Sequence, residues 1–334
     1  MTAPLLQTDN LSRHFRLGNS LQRKSLHAVD DVSLQIGERE IVALAGESGS
    51  GKSTIARLLA RIYRPTSGEI YFQGRPLSSF RSRKDTLGYR SDVPMVFQDP
   101  FSSINPAFRV SHGVLRSLQL HRPELPASER EAEAVRVFEA VGLTPAAEIL
   151  HRFPHELSGG QRQRVGFAQA LAMRPKLILA DEPVSMLDVS IRIGLLNLMQ
   201  QLRDEQGVSI LYITHDIASA RYVSDRVLVM YGGHVVEQGP TEDVLADPKH
   251  PYTQLLLSAV PDPRAKLEVT TEAAKAEPPA VIDPKPGCRF RARCPIAVDA
   301  CAQITPRLAQ VAPRHEAACH VNAPTSAAAS AAAA

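Results

Sequence analysis

One octapeptide, GESGSGKS at Gly46 to Ser53, constrains this chain more than any other feature. An apolar run, Ile41 to Ala45, precedes it, and Ile55, Leu58, Leu59 and Ile62 follow at helical spacing. The local order is therefore strand, glycine-rich loop, helix. Glycines at 46, 49 and 51 let successive backbone N–H groups point at one centre, and the helix start adds partial positive charge there. That arrangement suits a chain of phosphates. The expected binding set is Gly46, Glu47, Ser48, Gly49, Ser50, Gly51, Lys52, Ser53 and Thr54, with Lys52 holding the β and γ phosphates and Ser53 a magnesium ion.

A second strand ends in acid. In LILADEP, Leu177 to Pro183, four apolar residues lead into Asp181 and Glu182. Side chains alternate faces along a strand, so the two carboxylates are expected to take different roles. Asp181 is placed to hold the magnesium shell through water, and Glu182 to polarise the water that attacks the γ phosphate. His215 closes another apolar run, Ser209 to Thr214, and is expected at the same strand-end edge. Farther back, Ser158, Gly159, Gly160 and Gln161 lie in LSGGQ and open a helix whose first N–H groups are free for an anion.

With these pieces in this order, the chain resembles the nucleotide-binding subunits of ABC transporters over roughly residues 5 to 260. The resemblance adds Gln98 in VFQDP, as a ligand of magnesium and of the attacking water, and Asp188 in SMLD, where Met186 stands in place of the usual alanine. It also calls for an adenine-stacking aromatic, for which Phe15 is the candidate; a core position in a strand is the other reading of that residue. The implied fold is an α/β P-loop NTPase with an antiparallel β subdomain, an inserted helical subdomain and a C-terminal extension. The resemblance further implies that the helix after Ser158 reaches the ATP held by another subunit, so that ATP is part of a dimer interface. DPFSSINP at Asp99 to Pro106, SMLDVSIR, and HPYTQLLL from His250 narrow the likeness to the oligopeptide, dipeptide and nickel importers. That subgroup implies two transmembrane permease subunits, an external substrate-binding protein, and a second ATPase that is either a paralogue or another copy. The insert Leu17 to Leu26 resembles the second of two paralogous ATPases, which favours a heterodimer.

Composition fits such a role. At 334 residues and 44% hydrophobic side chains the chain can bury a large core, and its net charge of +3 is too small to argue for nucleic acid. No apolar run approaches the ~20 residues of a membrane helix, and Met1 to Phe15 has no signal-peptide core. The expected location is peripheral, on the cytoplasmic face of the inner or plasma membrane. DNA-repair and chromosome ATPases share these motifs, but they insert a long coiled coil between the phosphate loop and the LSGGQ segment. The interval here is short and has no sustained heptads. Ribosome-binding relatives carry two cassettes, and this chain has one.

Residues 1–97 and 165–245 are expected to form the catalytic core, interrupted by helices over 98–164. In that insert, Ser128 and Glu131 read as a capping box before a face formed by Val135, Phe138 and Val141. An extension over 246–325 follows, with a linker-like stretch from Pro261 to Pro286, and 326–334 is a low-complexity tail. All four cysteines, Cys288, Cys294, Cys301 and Cys319, lie in the extension. A reducing compartment disfavours disulfides. Unligated thiols, zinc and a 4Fe-4S cluster remain, although the tight cysteine knuckle common in structural zinc sites is absent. Pro295 after Cys294, and the cationic Arg289, Arg291 and Arg293, suit a cluster. The importer resemblance, in which some members carry one, favours it too. Because every nucleotide motif precedes residue 216, the cluster is expected to be structural or redox-sensing, with ATP binding independent of it.

Overall fold

The computed structural model describes residues 3–18, 24–99, 104–259 and 281–324. Its centre is a twisted sheet built on Ile41–Ala45, Ser209–Thr214 and Leu177–Asp181, each buried along its whole length. Strands apolar on both faces belong inside a parallel sheet covered on both sides, and these three pair in parallel. In space the order runs Ala309–Ala312, His315–Ala317, His234–Pro240, Arg226–Tyr231, Ile41–Ala45, Ser209–Thr214, Leu177–Asp181, Met95–Val96. Pairing is parallel from Arg226–Tyr231 onward and antiparallel among the first four.

The two faces follow strict alternation. Val42, Leu44, Leu211, Ile213 and Leu228 pack with the loop helix Lys52–Leu59 and with a second, antiparallel sheet. That sheet pairs Leu6–Leu17 with Lys24–Val32 on one side and Ser67–Phe72 on the other. Ala43, Ile178, Ile210, Tyr212 and Val227 face the opposite way, against the helices Val189–Gln206 and Ile217–Val223 and the helical insert.

Several expectations change. Ser128 lies in a short turn, Ala127–Glu129, that starts after the extended Pro126, so the following helix Arg130–Ala140 begins without a side-chain cap. The expected capping box is absent because the chain turns two residues before the position Ser128 would need. Of the expected apolar face, Phe138 and Val141 are fully buried, with Ala134 beside them, while Val135 is half-buried. Helix Gly159–Leu171 runs straight through the expected boundary at 164/165. Strands reach Leu17 and resume at Lys24, and residues 19–23 of the expected insert at Leu17 to Leu26 lie outside the described residues. Most of Pro261 to Pro286 and all of Ser326 to Ala334 also lie outside them.

The extension is more integrated than its composition suggests. His315–Ala317 pairs with His234–Pro240 and lengthens the central sheet. Glu237, with no exposed surface, pairs with His315 at 2.7 Å and accepts the backbone N–H groups of Lys249 at 2.7 Å and His250 at 3.0 Å. A buried carboxylate costs stability unless its lone pairs are satisfied. Here the satisfying groups come from the extension, which ties it to the core.

Candidate nucleotide site

The loop between Ala45 and the helix Lys52–Leu59 is held tightly against its neighbours. Gly51 has φ 106°, and a Cβ there would stand 2.1 Å from the carbonyl oxygen of Ala28. Only glycine meets both demands. Lys52 is buried, its Nζ donating to the carbonyls of Gly46 at 2.7 Å and Glu47 at 2.8 Å. Desolvation pushes its pKa below the usual lysine value, against the pull of Glu182, Asp181 and Glu47. Asp181, at the end of its strand, accepts a hydrogen bond from Ser53 Oγ at 2.8 Å, and burial raises its carboxyl above the ordinary range. Charges strained in this way favour a bound partner of opposite sign.

Glu182 leaves the strand with φ 46°, its N–H donating to Ile213 O at 3.0 Å. With this turn, in addition to simple alternation, the two carboxylates take different partners, Ser53 for Asp181 and Gln98 and His215 for Glu182. Glu182 Oε2 then accepts from Gln98 Nε2 at 3.1 Å and faces His215 Nδ1 at 3.1 Å. Three residues far apart in sequence thus converge on one carboxylate at the strand ends, the edge where open α/β sheets bind ligands. They border a cleft of about 940 Å³ that is also lined by Lys52, Ser53, Phe15 and Tyr63, within the range of small-molecule sites.

Phe15 lies within the strand Leu6–Leu17 and is half-buried rather than part of the core. Tyr63 meets it edge-on at 5.5 Å and the Arg13 guanidinium lies 4.6 Å from its ring centre. Ser158 caps the helix Gly159–Leu171: its Oγ accepts from Gln161 N–H at 3.2 Å, and Gln161 Oε1 accepts from Ser158 N–H at 3.0 Å. Gly160 is required by packing, since a Cβ would lie 2.3 Å from Ile191 Cγ2. Asp188 precedes the helix Val189–Gln206 in extended backbone, without a side-chain cap bond. The structure therefore gathers Gly46 to Thr54, Gln98, Asp181, Glu182, His215 and Phe15, while Ser158 to Gln161 and Asp188 do not line the cleft of Lys52.

Sequence reasoning missed the cleft's other wall. Val281 of the extension lines it beside Leu26 and His27, brought there by the bond from His27 N–H to Val281 O at 2.9 Å and the bridge between Leu26 and Ile282. Arg293 is also unforeseen: it grips the Glu47 carboxylate with two bonds of 2.8 and 3.0 Å. Nothing in the spacing of Arg293 distinguishes it from a solvated arginine. The extension thus touches the phosphate loop directly, through Arg293 and Glu47.

The cysteines lie in the same extension as Arg293. Cys301 and Cys319 are buried and Cys288 and Cys294 half-buried. Burial pushes the Cys288 thiol up to about 11, and the neighbouring Cys301, Cys294 and Cys319 push in the same direction. Tetrahedral zinc with ~2.3 Å Zn–S bonds sets its sulfurs about 3.8 Å apart. No three of these sulfurs lie within 4.8 Å of one another among the described residues; the only trio of metal-binding side chains that close is His14, His27 and Asp30. Arg289 already pairs with that aspartate at 2.5 Å.

Comparison with known proteins agrees with this geometry. Residues 29–185 match the ABC transporter family, and residues 236–301 match the oligopeptide/dipeptide transporter C-terminal region. The oligopeptide transport ATP-binding protein OppF of Escherichia coli (strain K12) is 42% identical over 311 residues, spanning 91% of this chain and 92% of its own. Among solved structures, a dimeric post-hydrolysis state of the ATP-binding cassette MJ0796 bound to ADP and Pi superposes with a TM-score of 0.62 at 29% identity, covering 71% of this chain and 98% of that one. The cbiO1 subunit of a Clostridium perfringens ABC transporter complex gives 0.62 at 30% identity, covering 73% and 91%. The chain belongs to the ABC transporter ATP-binding proteins and is an ABC ATPase. Within that family it is of the kind that carries the oligopeptide/dipeptide transporter C-terminal region.

Proposed function

We propose that this chain hydrolyses ATP to drive the import of di- or oligopeptides, as one member of a pair of ATPase subunits docked on two transmembrane permeases. The observation that carries the proposal is the convergence of Gln98, Glu182 and His215 beside the Lys52 loop. In that arrangement Lys52 exchanges its two loop carbonyls for the β and γ phosphates. Glu182 orients and deprotonates the attacking water, Gln98 holds its far side, and His215 supports the carboxylate and the γ phosphate. Ser53 Oγ and Asp181, 2.8 Å apart, are the hard oxygen donors a magnesium ion prefers. When bound, that ion neutralises charge on the β and γ phosphate oxygens. Phe15 stacks on the adenine, with Tyr63 behind it.

The LSGGQ helix completes another subunit's site. Ser158 and the helix start it caps stand outside this chain's own cleft, and Met186, Val189 and Ile193 nearby are 60%, 70% and 47% exposed, an apolar strip suited to a partner. ATP then lies between two chains, and its hydrolysis removes a shared ligand and lets them separate. That partner is a paralogous ATPase or a second copy. An external binding protein delivers the peptide, and the chain itself sits on the cytoplasmic face. No helix among the described residues is long and apolar enough to cross a membrane, so the path belongs to the permeases.

We also infer that the four cysteines hold a 4Fe-4S cluster. They supply four soft sulfur donors, and the thiols of Cys301, Cys294 and Cys319 lie near enough to push that of Cys288 up. Such a cluster would order the segment around Cys288 to Cys319. Purification of the intact complex from its native membrane, followed by mass spectrometry, tests the assignment of subunits and cargo. The expected result is two permeases, a second ATPase and bound peptides; a complex holding only nickel or an oligosaccharide would overturn the peptide assignment.

A further inference from the structure

The cysteine-bearing segment and the phosphate loop share a half-buried ion pair. Cys288 and Cys294 bracket one tight turn, closed by the bonds Arg291 N–H to Cys288 O at 3.2 Å, Arg293 N–H to Phe290 O at 2.9 Å and Cys294 N–H to Arg291 O at 3.3 Å. Its far end is tied back by Cys288 N–H to Cys301 O at 2.8 Å. Phe290, 2% exposed, anchors the turn on the rings of Tyr231 at 5.2 Å and Tyr252 at 5.5 Å. Arg289 reaches Asp30 on the antiparallel sheet and the carbonyl of Gly232. Arg293, with its side chain only 6% exposed, binds both carboxylate oxygens of Glu47.

Glu47 is a junction. Its carbonyl accepts Lys52 Nζ at 2.8 Å, its N–H donates to Tyr252 Oη at 2.7 Å, and its carboxylate belongs to Arg293. Two of these three anchors come from beyond residue 250. A carboxylate in a loop meant for phosphates is an electrostatic liability, and a forked guanidinium cancels it while fixing its direction.

We propose that Arg293 is a positioning residue for the phosphate loop, through which nucleotide binding is coupled to the order of the Cys288–Cys294 turn. The proposal rests on the ATPase reading and adds to it a route from the extension to the site. Coupling of this kind is reciprocal: whatever loosens the turn weakens nucleotide, and nucleotide tightens the turn.

Isothermal titration of Mg·ATP into the full chain tests it in four forms: native, Arg293→Gln, Glu47→Gln, and the double variant. Arg293→Gln leaves the Glu47 carboxylate unpaired and should raise Kd at least tenfold, equal to ~1.4 kcal/mol. In the Glu47→Gln background the same change should cost less than twofold, because the charge it neutralises is gone. Arg293→Lys, which keeps the charge but loses the fork, should fall between and serves if the glutamine form does not fold. Hydrogen exchange gives the reverse reading: Mg·ATP should slow exchange at residues 288–294 in the native chain and leave it unchanged in Arg293→Gln. Equal losses in both backgrounds, or exchange at 288–294 indifferent to Mg·ATP in the native chain, would overturn the proposal and leave the ATPase reading standing. Failure of the native chain to bind Mg·ATP would instead overturn that reading.

Discussion

Replacing Glu182 by glutamine separates chemistry from binding. The side chain keeps its shape, and with its amide oxygen in the place of Oε2 it can still accept from Gln98 Nε2 and from an N–H at His215 Nδ1, each 3.1 Å from that oxygen. Two charge-assisted contacts become neutral ones, a loss of about 1 kcal/mol or less each. Lys52, Ser53 and Asp181 are untouched, so Mg·ATP affinity should change by no more than a few fold. The general base is removed outright, which typically lowers the rate ~10² to 10⁴-fold, or about 3 to 5 kcal/mol in the barrier. Single-turnover hydrolysis of γ-labelled ATP, measured beside titration calorimetry, distinguishes the two effects. Sedimentation velocity should also show an ATP-trapped closed dimer. Near-native turnover, or a loss of affinity as large as the loss of rate, would refute the role assigned to Glu182.

Three more outcomes are expected. Ser158→Trp should impair the ATP site built on the partner's phosphate loop, and site-resolved hydrolysis showing damage confined to this chain's own Lys52 pocket would contradict the shared-site geometry. Anaerobically purified protein should be brown, with about four irons per chain, and colourless protein with stoichiometric zinc would eliminate the cluster. Burial lowers the pKa of His250 from 6.5 to about 4, its Nδ1 accepting the Tyr252 N–H. The unfolded chain therefore binds the extra proton first as pH falls from 6.5 to 4, and stability drops by about 3 kcal/mol across that window. Denaturant melts of His250→Asn, which retains a capping acceptor, should lose that share of the slope; an unchanged slope would contradict a buried neutral histidine.

The phosphate loop, the acidic strand end and the LSGGQ cap were legible because each combines a backbone requirement with local periodicity. Gly51 must be glycine, Ser158 must cap, and Leu177 to Ala180 must be buried. The turn at Glu182 was not legible, since its positive φ has no residue-type signature. The capping box read at Ser128 failed because a short motif without tertiary support competes with the turn after Pro126. Nothing in the sequence around His315–Ala317 marks it as part of the core sheet, which it joins through pairing with a strand far earlier in the chain. Long-range pairs such as Arg293 with Glu47 and His315 with Glu237 depend on where the sheet places distant segments. No local pattern encodes that.

The central claim is that ATP spent at the Lys52 site drives peptide across a membrane. Its most direct test is peptide accumulation in vesicles reconstituted with the complete transporter and its binding protein. Accumulation should require internal Mg·ATP and should be lost in Lys52→Ala, which deletes a charge-assisted phosphate contact of about 1.5 to 3 kcal/mol. Uptake that proceeds unchanged in Lys52→Ala, or without ATP, would contradict the account.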